Sequence, residues 1–420
     1  MSEREFDVVV LGVTGVTGRR VAAYLAEQRP EGGGWAAVGR DAGRVESVLS
    51  EEGVTAPETL VADVSDPESL SALASRTRVV LNLVGPYTPT ARPVIAACVE
   101  QGAHYADLTG EIPFVRRMID AFHEPAEAAG VKIVQVCGFE ALPPDLLVLL
   151  AGESARERWD ERLAEADLEL TWTPPGGFVR LSDLSGGTLQ SLAAMVSDPD
   201  AARARDPAAL ITDEGTAARV RAASPISIAP RRGRRAAVVA PMQPSGFINP
   251  AVIHRTAALV AADGEETPEP FRYREGLAIK GSDATFPLRY MAAGAMAGPQ
   301  AGFASATRAG PPLRRRIAGA LGKILPSSGF GPAADRLEGW RWSMTVRART
   351  TGGQEVRTGV DAEGQPGYLA TARLLGEAGL LLAEPEATPA RAGCLTPAAA
   401  LGTASVERFE RARLRFSVAS

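Results

Sequence analysis

Residues Phe6 to Arg20 read FDVVVLGVTGVTGRR, and this stretch predicts a buried strand, a glycine turn and the first turns of a helix. The short β-branched run before the turn is typical of a strand buried on both faces of a parallel sheet. Gly12, Gly15 and Gly18 follow it at a spacing of three. Glycines at such a turn let the backbone approach a pyrophosphate closely, and the free amides at the helix N-terminus meet its negative charge. The stretch therefore predicts a dinucleotide site.

The spacing of these glycines is GxxGxxG, whereas the widespread dinucleotide-binding pattern is GxGxxG. Thr14 and Thr17 stand between them and add hydroxyl donors for a phosphate. The motif follows a clean strand and opens an amphipathic segment that runs to Gln28, which is the context that such a turn requires. A tight turn without a ligand is the alternative. The residues that we expect to bind the cofactor's phosphates are Gly12, Thr14, Gly15, Val16, Thr17 and Gly18.

The following strands offer side chains for the rest of a dinucleotide. Trp35 to Gly39 predicts a second strand, and Arg40 follows it directly. At this position an acidic residue binds the ribose 2'-hydroxyl of NAD, whereas an arginine suits the 2'-phosphate of NADP. Arg40 therefore favours NADP(H) as the cofactor. Asp41, one residue later, leaves NAD as the alternative. Further cofactor contacts are expected at the ends of the third and fourth strands, at Asp63, Val84 and Gly85.

Strands alternate with helices through the first 150 residues, as is typical of a Rossmann-like doubly wound parallel sheet. Beyond Leu150 the pattern changes. Leu168 to Thr173, Trp340 to Thr350 and Glu355 to Val360 alternate apolar and polar residues and predict strands that face a core on one side. We therefore expect an α/β fold with two domains. Residues 1–150, completed by C-terminal helices in about 366–420, form the dinucleotide-binding domain, and 151–365 form an α+β substrate or dimerisation domain with a mixed or antiparallel sheet.

With 420 residues, 45% of them apolar and 23% charged, the chain has the composition of a folded protein with more than one domain. The net charge of -5 gives no electrostatic reason to expect nucleic acid as a partner. Cys98, Cys137 and Cys394 lie far apart without a histidine pair nearby, so we expect neither a metal site nor a disulfide framework. A reducing cytoplasm fits these cysteines, and the charged start MSEREFD is unlike a cleavable signal peptide.

Two segments in the second half of the chain are candidates for contact with a membrane. Tyr290 to Thr307 carries no charge, but its glycine, proline, glutamine and serine residues make it a poor spanning helix. Pro312 to Leu325 (PLRRRIAGALGKIL) is cationic and amphipathic, a pattern that suits either a lipid interface or a solvated surface helix. We expect at most a peripheral contact with a membrane.

The residues also limit the chemistry. Short-chain dehydrogenases use Tyr-x-x-x-Lys, and none of the six tyrosines has a lysine four residues later. No GxSxG nucleophile elbow occurs. Polar residues at strand ends remain as candidates for proton transfer, and of these we expect Tyr87, Glu111 and Glu140 to be catalytic, with Asn82 and Asp107 beside them. The alternatives are structural: Glu111 and Asp107 would cap helices, and Tyr87 would pack against the cofactor.

Several segments, spread along most of the chain, resemble those of one known protein family. They are GVTGVTGRRVAAYL, NLVGPYTPTARPVIAAC, HYADLTGE and VCGFEALPPDL in the first part, and LSGGTLQS (184–191), GYLATARLLGEAGL (367–380) and CLTPAAALG (394–402) in the second. Together they resemble the saccharopine dehydrogenase-like NADP-binding family, and within it the trans-acting enoyl reductase type. Residues 201–336 match only loosely.

The resemblance implies a Rossmann domain with an α+β domain, NADPH as the hydride donor, and reduction of an enoyl C=C bond on a polyketide-derived lipid chain that a partner synthase holds. A saccharopine dehydrogenase-like reductase of an amino-acid imine is a second hypothesis, although such an enzyme needs cations for several carboxylates and the sequence assigns no such cluster. A third is a sensor or scaffold protein that binds NADPH without turnover. The sequence leaves a homodimer as an alternative to a monomer.

Overall fold

The computed structural model describes residues 4–29, 34–177, 179–180, 183, 186–234, 236–242, 245–264, 266–324 and 331–419. The strands in this part of the chain are β1 (Phe6–Leu11), β2 (Trp35–Gly39), β3 (Thr59–Val61), β4 (Thr77–Asn82), β5 (His104–Asp107), β6 (Lys132–Val134), β7 (Leu163–Thr173), β8 (Arg231–Arg232), β9 (Val238–Ala240), β10 (Arg272–Ile279), β11 (Arg341–Thr350), β12 (Glu355–Glu363), β13 (Gly393–Leu395) and β14 (Leu414–Ala419). The α-helices are α1 (Val16–Gln28), α2 (Ala42–Glu51), α3 (Pro67–Arg76), α4 (Tyr87–Gln101), α5 (Ile112–Ala128), α6 (Leu142–Trp159), α7 (Gly186–Ser197), α8 (Glu214–Ala223), α9 (Asn249–Asp263), α10 (Phe286–Ala306), α11 (Pro311–Ile324), α12 (Thr371–Ala383) and α13 (Pro397–Leu401).

The first sheet is parallel throughout and has the strand order β3-β2-β1-β4-β5-β6-β13. Strand β1 lies in its interior, between β2 and β4, and Val8, Val9 and Val10 are wholly buried because helices cover both faces. The order reverses between β1 and β4, so the turns that follow these two strands diverge and leave a crevice at their carboxyl ends. This is the Rossmann-like doubly wound sheet that the alternation of the sequence predicts.

The C-terminal part of the chain packs on this first sheet. Every residue of α12 is buried, and the helix lies against α1 and strand β4. The hydroxyl of Tyr24 on α1 donates a hydrogen bond of 2.6 Å to Oε2 of Glu377 on α12, and Arg408 Nε donates one of 3.0 Å to Oε1 of the same carboxylate. Because both oxygens of Glu377 are satisfied, the carboxylate can stay in a buried position.

The second sheet has the order β14-β12-β11-β7-β10-β9-β8 and is antiparallel except where β7 pairs with β10. Buried and more exposed residues alternate along β11, and Met344 lies between Leu170 of β7 and Val360 of β12. One face therefore contacts a core, and α6 packs on it. This is the mixed sheet that the sequence predicts for the second domain.

Several strands lie outside the sequence-based prediction. Strand β7 begins at Leu163 rather than Leu168, and strands β8, β9, β10, β13 and β14 were not predicted. Strands β8, β9 and β13 have only two or three residues, which carry too little alternation to be recognised as a strand. Besides helices, residues 366–420 contain β13, which joins the first sheet, and β14, which joins the second. The domain boundaries stay a prediction.

One apolar core joins the two sheets. It contains Val8 and Leu81 of the first sheet and Met344 and Val346 of the second. At the junction Phe139, which follows β6, meets Trp342 of β11 edge to face, with 4.8 Å between ring centroids. Among the described residues, no helix combines the length and the apolar character that a membrane span needs.

Candidate functional site

A cavity of about 1280 Å³ lies at the carboxyl ends of the strands of the first sheet. The residues that follow the parallel strands line one side of it, and α7 and α11 line the other. All predicted site residues except Glu111 line this cavity, and Glu111 hydrogen-bonds to Tyr87, which does. Such a crevice at the switch point of a doubly wound sheet is the usual ligand site of the fold.

The turn between β1 and α1 has the geometry of a phosphate cradle. Gly12 has a φ of +88°, a conformation that suits glycine, and a Cβ there would lie 2.9 Å from Val84 Cγ2. A Cβ on Gly18 would lie 2.4 Å from the Gly12 carbonyl oxygen. Helix α1 begins after Gly15 without a side-chain cap and has no acidic residue in its first turn. Its amides therefore stay available to an anion, and these residues fit a dinucleotide pyrophosphate.

Arg40 and Asp41 have separate roles at the end of β2. The exposed Arg40 lines the cavity, whereas the carboxylate of Asp41 accepts a hydrogen bond of 2.7 Å from the amide of Arg44 and caps α2. Asp63 also lines the cavity, and its Oδ1 accepts from the amide and hydroxyl of Ser65, which lowers the pKa of the Asp63 carboxyl. Arg40 is thus the residue at this end that can meet a 2'-phosphate, since Asp41 is engaged in a cap.

The turn after β4 carries Val84 and Gly85, which line the cavity, and a cis peptide bond to Pro86. Tyr87 begins α4 with its ring beside Gly85. Its hydroxyl lies 3.4 Å from the Asn82 carbonyl oxygen, to which it donates, and 3.4 Å from the Leu108 amide, from which it accepts. Burial raises the pKa of this hydroxyl well above its ordinary value. Tyr87 therefore holds two strand-end turns together while its ring faces the cavity.

Glu111 stands beside the cavity as a helix cap. Its two oxygens accept from the amides of Tyr87 at 3.1 Å and Thr88 at 2.9 Å, at the first turn of α4, and also from the Thr88 hydroxyl. Ser191 of α7 donates to the same carboxylate at 3.2 Å. The negative charge at the N-terminus of α4 is stabilised by the helix dipole, and the bond from Ser191 fixes α7 over the site.

Glu140, after β6, differs from the other two candidates. Its half-buried side chain lines the cavity, and no other described residue hydrogen-bonds to its carboxyl group. Burial raises the pKa of this carboxyl above the ordinary glutamate value. A carboxyl in such an environment holds a proton more readily than one in water, and it can release that proton to a bound molecule.

A buried network fixes the floor of the site. Asn82 donates to the Tyr105 hydroxyl at 3.0 Å, and that hydroxyl donates to Asp107 Oδ2 at 2.8 Å. Asp107 Oδ1 accepts from the amides of Thr109 and Val136, and burial raises the pKa of Asp107 to about 7. Val136 has a φ of +63°, which is strained for a β-branched residue and marks a position that the surroundings enforce. Asn82 and Asp107 are thus buried below the cavity rather than in it.

Sequence reasoning missed the residues that reach the cavity from distant parts of the chain. They include Thr109, Val136, Ala193, Arg315, Tyr368 and Thr371. The Thr371 hydroxyl accepts from the Phe139 amide at 3.2 Å and donates to the Pro366 carbonyl at 2.9 Å, which joins the C-terminal segment to the turn after β6. The available signal was the strand-end position of Thr109 and Val136, whereas the family-like segments of α7 and α12 and the amphipathic pattern of α11 do not show that these helices reach the cavity. Among the described residues, no group of histidine, cysteine and acidic side chains could hold a metal ion.

Comparison with known proteins places these features in context. Residues 8–134 match the family model of the saccharopine dehydrogenase NADP-binding domain. A Mycobacterium tuberculosis protein provisionally named as a trans-acting enoyl reductase is 37% identical over 97% of this chain and 96% of its own length. The trans-acting enoyl reductase of Mycobacterium ulcerans is 34% identical over the same shares. Apo saccharopine dehydrogenase from Saccharomyces cerevisiae superposes with a TM-score of 0.50, at 11% identity, over 98% of this chain and 99% of its own, and shares the fold.

Proposed function

The chain belongs to the trans-acting enoyl reductase family and its cofactor is NADP(H), and on this basis we propose that it reduces the C=C bond of an enoyl group on an acyl or polyketide-derived lipid chain. One observation carries the proposal most directly. A single cavity contains the glycine cradle of α1, Arg40, and the carboxyl of Glu140 with its raised pKa. These are the parts that a hydride and proton transfer requires.

The positions of the residues around the cofactor site indicate which part of the dinucleotide each of them would bind. Backbone amides at the start of α1 would hold the pyrophosphate, and Arg40 would hold the 2'-phosphate. The turns after β4, β5 and β6 line the same cavity and would surround the nicotinamide. When bound, NADPH supplies the hydride. The chain itself excludes water, orients the acyl group and supplies the proton.

We propose Glu140 as the proton donor. Reduction of an enoyl thioester adds a hydride at the β-carbon and a proton at the α-carbon, so a protonated acid must face the substrate. Tyr87 is less suited because its hydroxyl bonds to the backbone at Asn82 and Leu108. Glu111 is less suited because both of its oxygens cap α4. We assign these two residues to positioning, and Glu140 to catalysis.

The lining of the cavity supports an acyl substrate. Ala193 and Ala194 of α7, Ile248, and Ala318 of α11 are apolar and face the same space. The cations among the described lining residues are Arg40 and Arg315. A substrate with several carboxylates would leave charges unpaired here, which favours an acyl chain over an amino-acid imine. A polyketide synthase that carries the chain is the partner we propose.

The test is an assay of the purified full chain with NADPH and enoyl thioesters of increasing chain length, in free and carrier-bound form. The expected result is a loss of absorbance at the reduced-nicotinamide band that depends on substrate, together with a saturated acyl product in the mass spectrum. Saturated thioesters of the same lengths are the matched control. Tight NADPH binding without turnover of any member of the series would favour the sensor hypothesis instead.

A further inference from the structure

Helix α10 has an apolar face that no described element covers. The helix is anchored along one side, where Arg289 donates to the carbonyls of Ala236 and Ile279 at 2.8 Å and Gln300 to that of Met242. On another side Leu288 and Met291 are 70% and 72% exposed, and Ala295 and Pro299 continue the same strip at helical spacing. Large apolar side chains exposed in a continuous strip mark a surface that meets another apolar phase or partner.

The charged residues in this helix and in the segment that follows it are all basic. Residues 284–334 contain six basic residues and no acidic residue. Four of these cations are exposed, namely Arg308, Arg315, Arg316 and Lys323. No described carboxylate forms an ion pair with any of the four. Helix α11 follows α10 directly in the chain, and it carries exposed apolar side chains, Leu313 and Ile324, beside these cations. We call α10 and α11 together the α10–α11 surface.

This surface borders the cavity. Helix α11 packs on α7, and its buried Arg314 donates to the Pro199 carbonyl at 3.4 Å. Ala318, Gly319 and Gly322 of α11 line the cavity, whereas Arg316 and Lys323 of the same helix are exposed. Arg315 of the same helix is exposed and also lines the cavity, so the cationic surface reaches the edge of the substrate space.

We propose that the α10–α11 surface docks the protein on an anionic lipid bilayer, with the apolar strip of α10 in the headgroup region and the cations of α11 on the lipid phosphates. Exposed leucine and methionine beside unpaired arginine and lysine are what an interfacial helix presents to such a membrane. The docking itself is independent of the reaction. Its role in delivering a lipid chain to the cavity rests on the proposed function.

Two other occupants fit the charges less well. In a two-fold dimer the same patch faces itself, so a second copy would place these cations against one another. An acidic carrier protein would satisfy the cations, but the uncharged strip of α10 is better buried in an apolar phase. Both alternatives are outcomes of the experiment.

The experiment measures co-sedimentation of the full chain with vesicles of phosphatidylglycerol and phosphatidylcholine, and with vesicles of phosphatidylcholine alone. We expect binding to the anionic vesicles that weakens at high salt. The double variants Leu288→Gln with Met291→Gln and Arg316→Glu with Lys323→Glu should each lower the partition coefficient about tenfold or more. The matched controls are Val418→Gln and Arg415→Glu on the exposed edge strand β14, which should bind like the unchanged protein.

Three results would overturn the proposal: no binding to anionic vesicles at low salt, equal losses in the control variants, or a concentration-dependent dimer that the α10 variant dissociates. NADPH oxidation with a water-soluble, short-chain enoyl thioester is measured on every variant, and it should stay unchanged because none of these residues lines the cavity. Turnover without vesicle binding refutes the docking alone. Vesicle binding without turnover refutes the proposed function alone.

Discussion

At the scale of single residues, the site is decided by what each polar side chain is already bonded to. Arg40 and Asp41 are adjacent in sequence, yet Asp41 caps α2 while Arg40 lines the cavity. Likewise Glu111 is bonded through both oxygens and the Tyr87 hydroxyl bonds to the backbone, whereas the Glu140 carboxyl has no side-chain partner among the described residues. A group that is free of structural bonds can exchange a proton with a ligand.

This contrast predicts the behaviour of Glu140→Gln. Glutamine keeps the shape of the side chain but cannot release a proton at neutral pH, so kcat should fall about 10²- to 10⁴-fold while NADPH binding is retained. In the unchanged protein the acid form is the active one. Activity should therefore fall as pH rises through the pKa of Glu140, which burial places above the ordinary glutamate value.

The measurement is the pH profile of kcat/KM, together with NADPH binding followed by fluorescence. Tyr87→Phe is the matched variant, because it keeps the ring beside Gly85 and removes only the hydroxyl. We expect it to retain most of the activity and the same pH profile. A large loss in Tyr87→Phe with a modest one in Glu140→Gln would reverse the assignment of the proton donor.

At the scale of elements, the turn between β1 and α1 depends on close contacts of backbone with backbone. A Cβ on Gly18 would meet the Gly12 carbonyl oxygen at 2.4 Å and Val13 Cα at 2.8 Å, whereas the nearest atom to a Cβ on Gly15 lies at 3.4 Å. The three glycines therefore differ in what they do. Gly18 lets the helix approach the strand, and Gly15 starts the helix beside the cavity.

Gly18→Ala should therefore destabilise the fold, and Gly15→Ala should not. Because backbone atoms must move to admit the methyl group, we expect Gly18→Ala to lower the free energy of unfolding by about 1–3 kcal/mol. This expected net loss already includes the gain of about 1 kcal/mol that alanine brings to a helix interior. Denaturant unfolding without cofactor is the measurement, so that lost NADPH contacts do not contribute. Equal unfolding free energies for the two variants would contradict the packing role of Gly18.

At the scale of the whole molecule, α6 connects both sheets with the C-terminal segment. Its first turn carries Asp145, which is buried. Asp145 Oδ1 accepts from the Thr256 hydroxyl of α9 at 2.6 Å, and Oδ2 accepts from the Ala398 amide of α13 at 2.8 Å. Burial raises the pKa of this carboxyl to about 7. Three distant segments thus meet at one ionisable group.

The raised pKa makes the stability depend on pH. The folded state holds the Asp145 proton more tightly than the unfolded state does. The stabilisation that comes from the protonated Asp145 carboxyl is therefore complete below about pH 4. It is lost as pH rises towards about pH 7, the folded-state value. Each unit of pKa difference corresponds to about 1.4 kcal/mol.

Asp145→Asn removes this titration and should flatten the pH dependence of the free energy of unfolding across that window. The measurement is chemical denaturation at several pH values for both proteins. The difference between their two curves isolates Asp145 from the other buried acids. Parallel curves would show that Asp145 has an ordinary pKa in the folded state.

The parts of the fold that depend on local pattern could be predicted from the sequence. Val8 to Leu11 with its glycine turn predicted a parallel sheet and a dinucleotide turn, because burial on both faces and the close approach of a phosphate each demand particular residue types at adjacent positions. Alternation along β11 and β12 likewise predicted the second sheet. The segments shared with the family predicted NADP(H) and enoyl reduction.

What only the tertiary structure decided is which distant groups meet. No local pattern shows that Glu111 caps α4 or that α7 and α11 form the far wall of the cavity, because these contacts join residues far apart in the chain. The sequence by itself determined the glycine turn at which we propose that the cofactor binds. The tertiary structure decided which carboxyl beside it is without a structural hydrogen bond among the described residues, because hydrogen-bond partners and burial, rather than residue type, set whether an acid is structural or reactive.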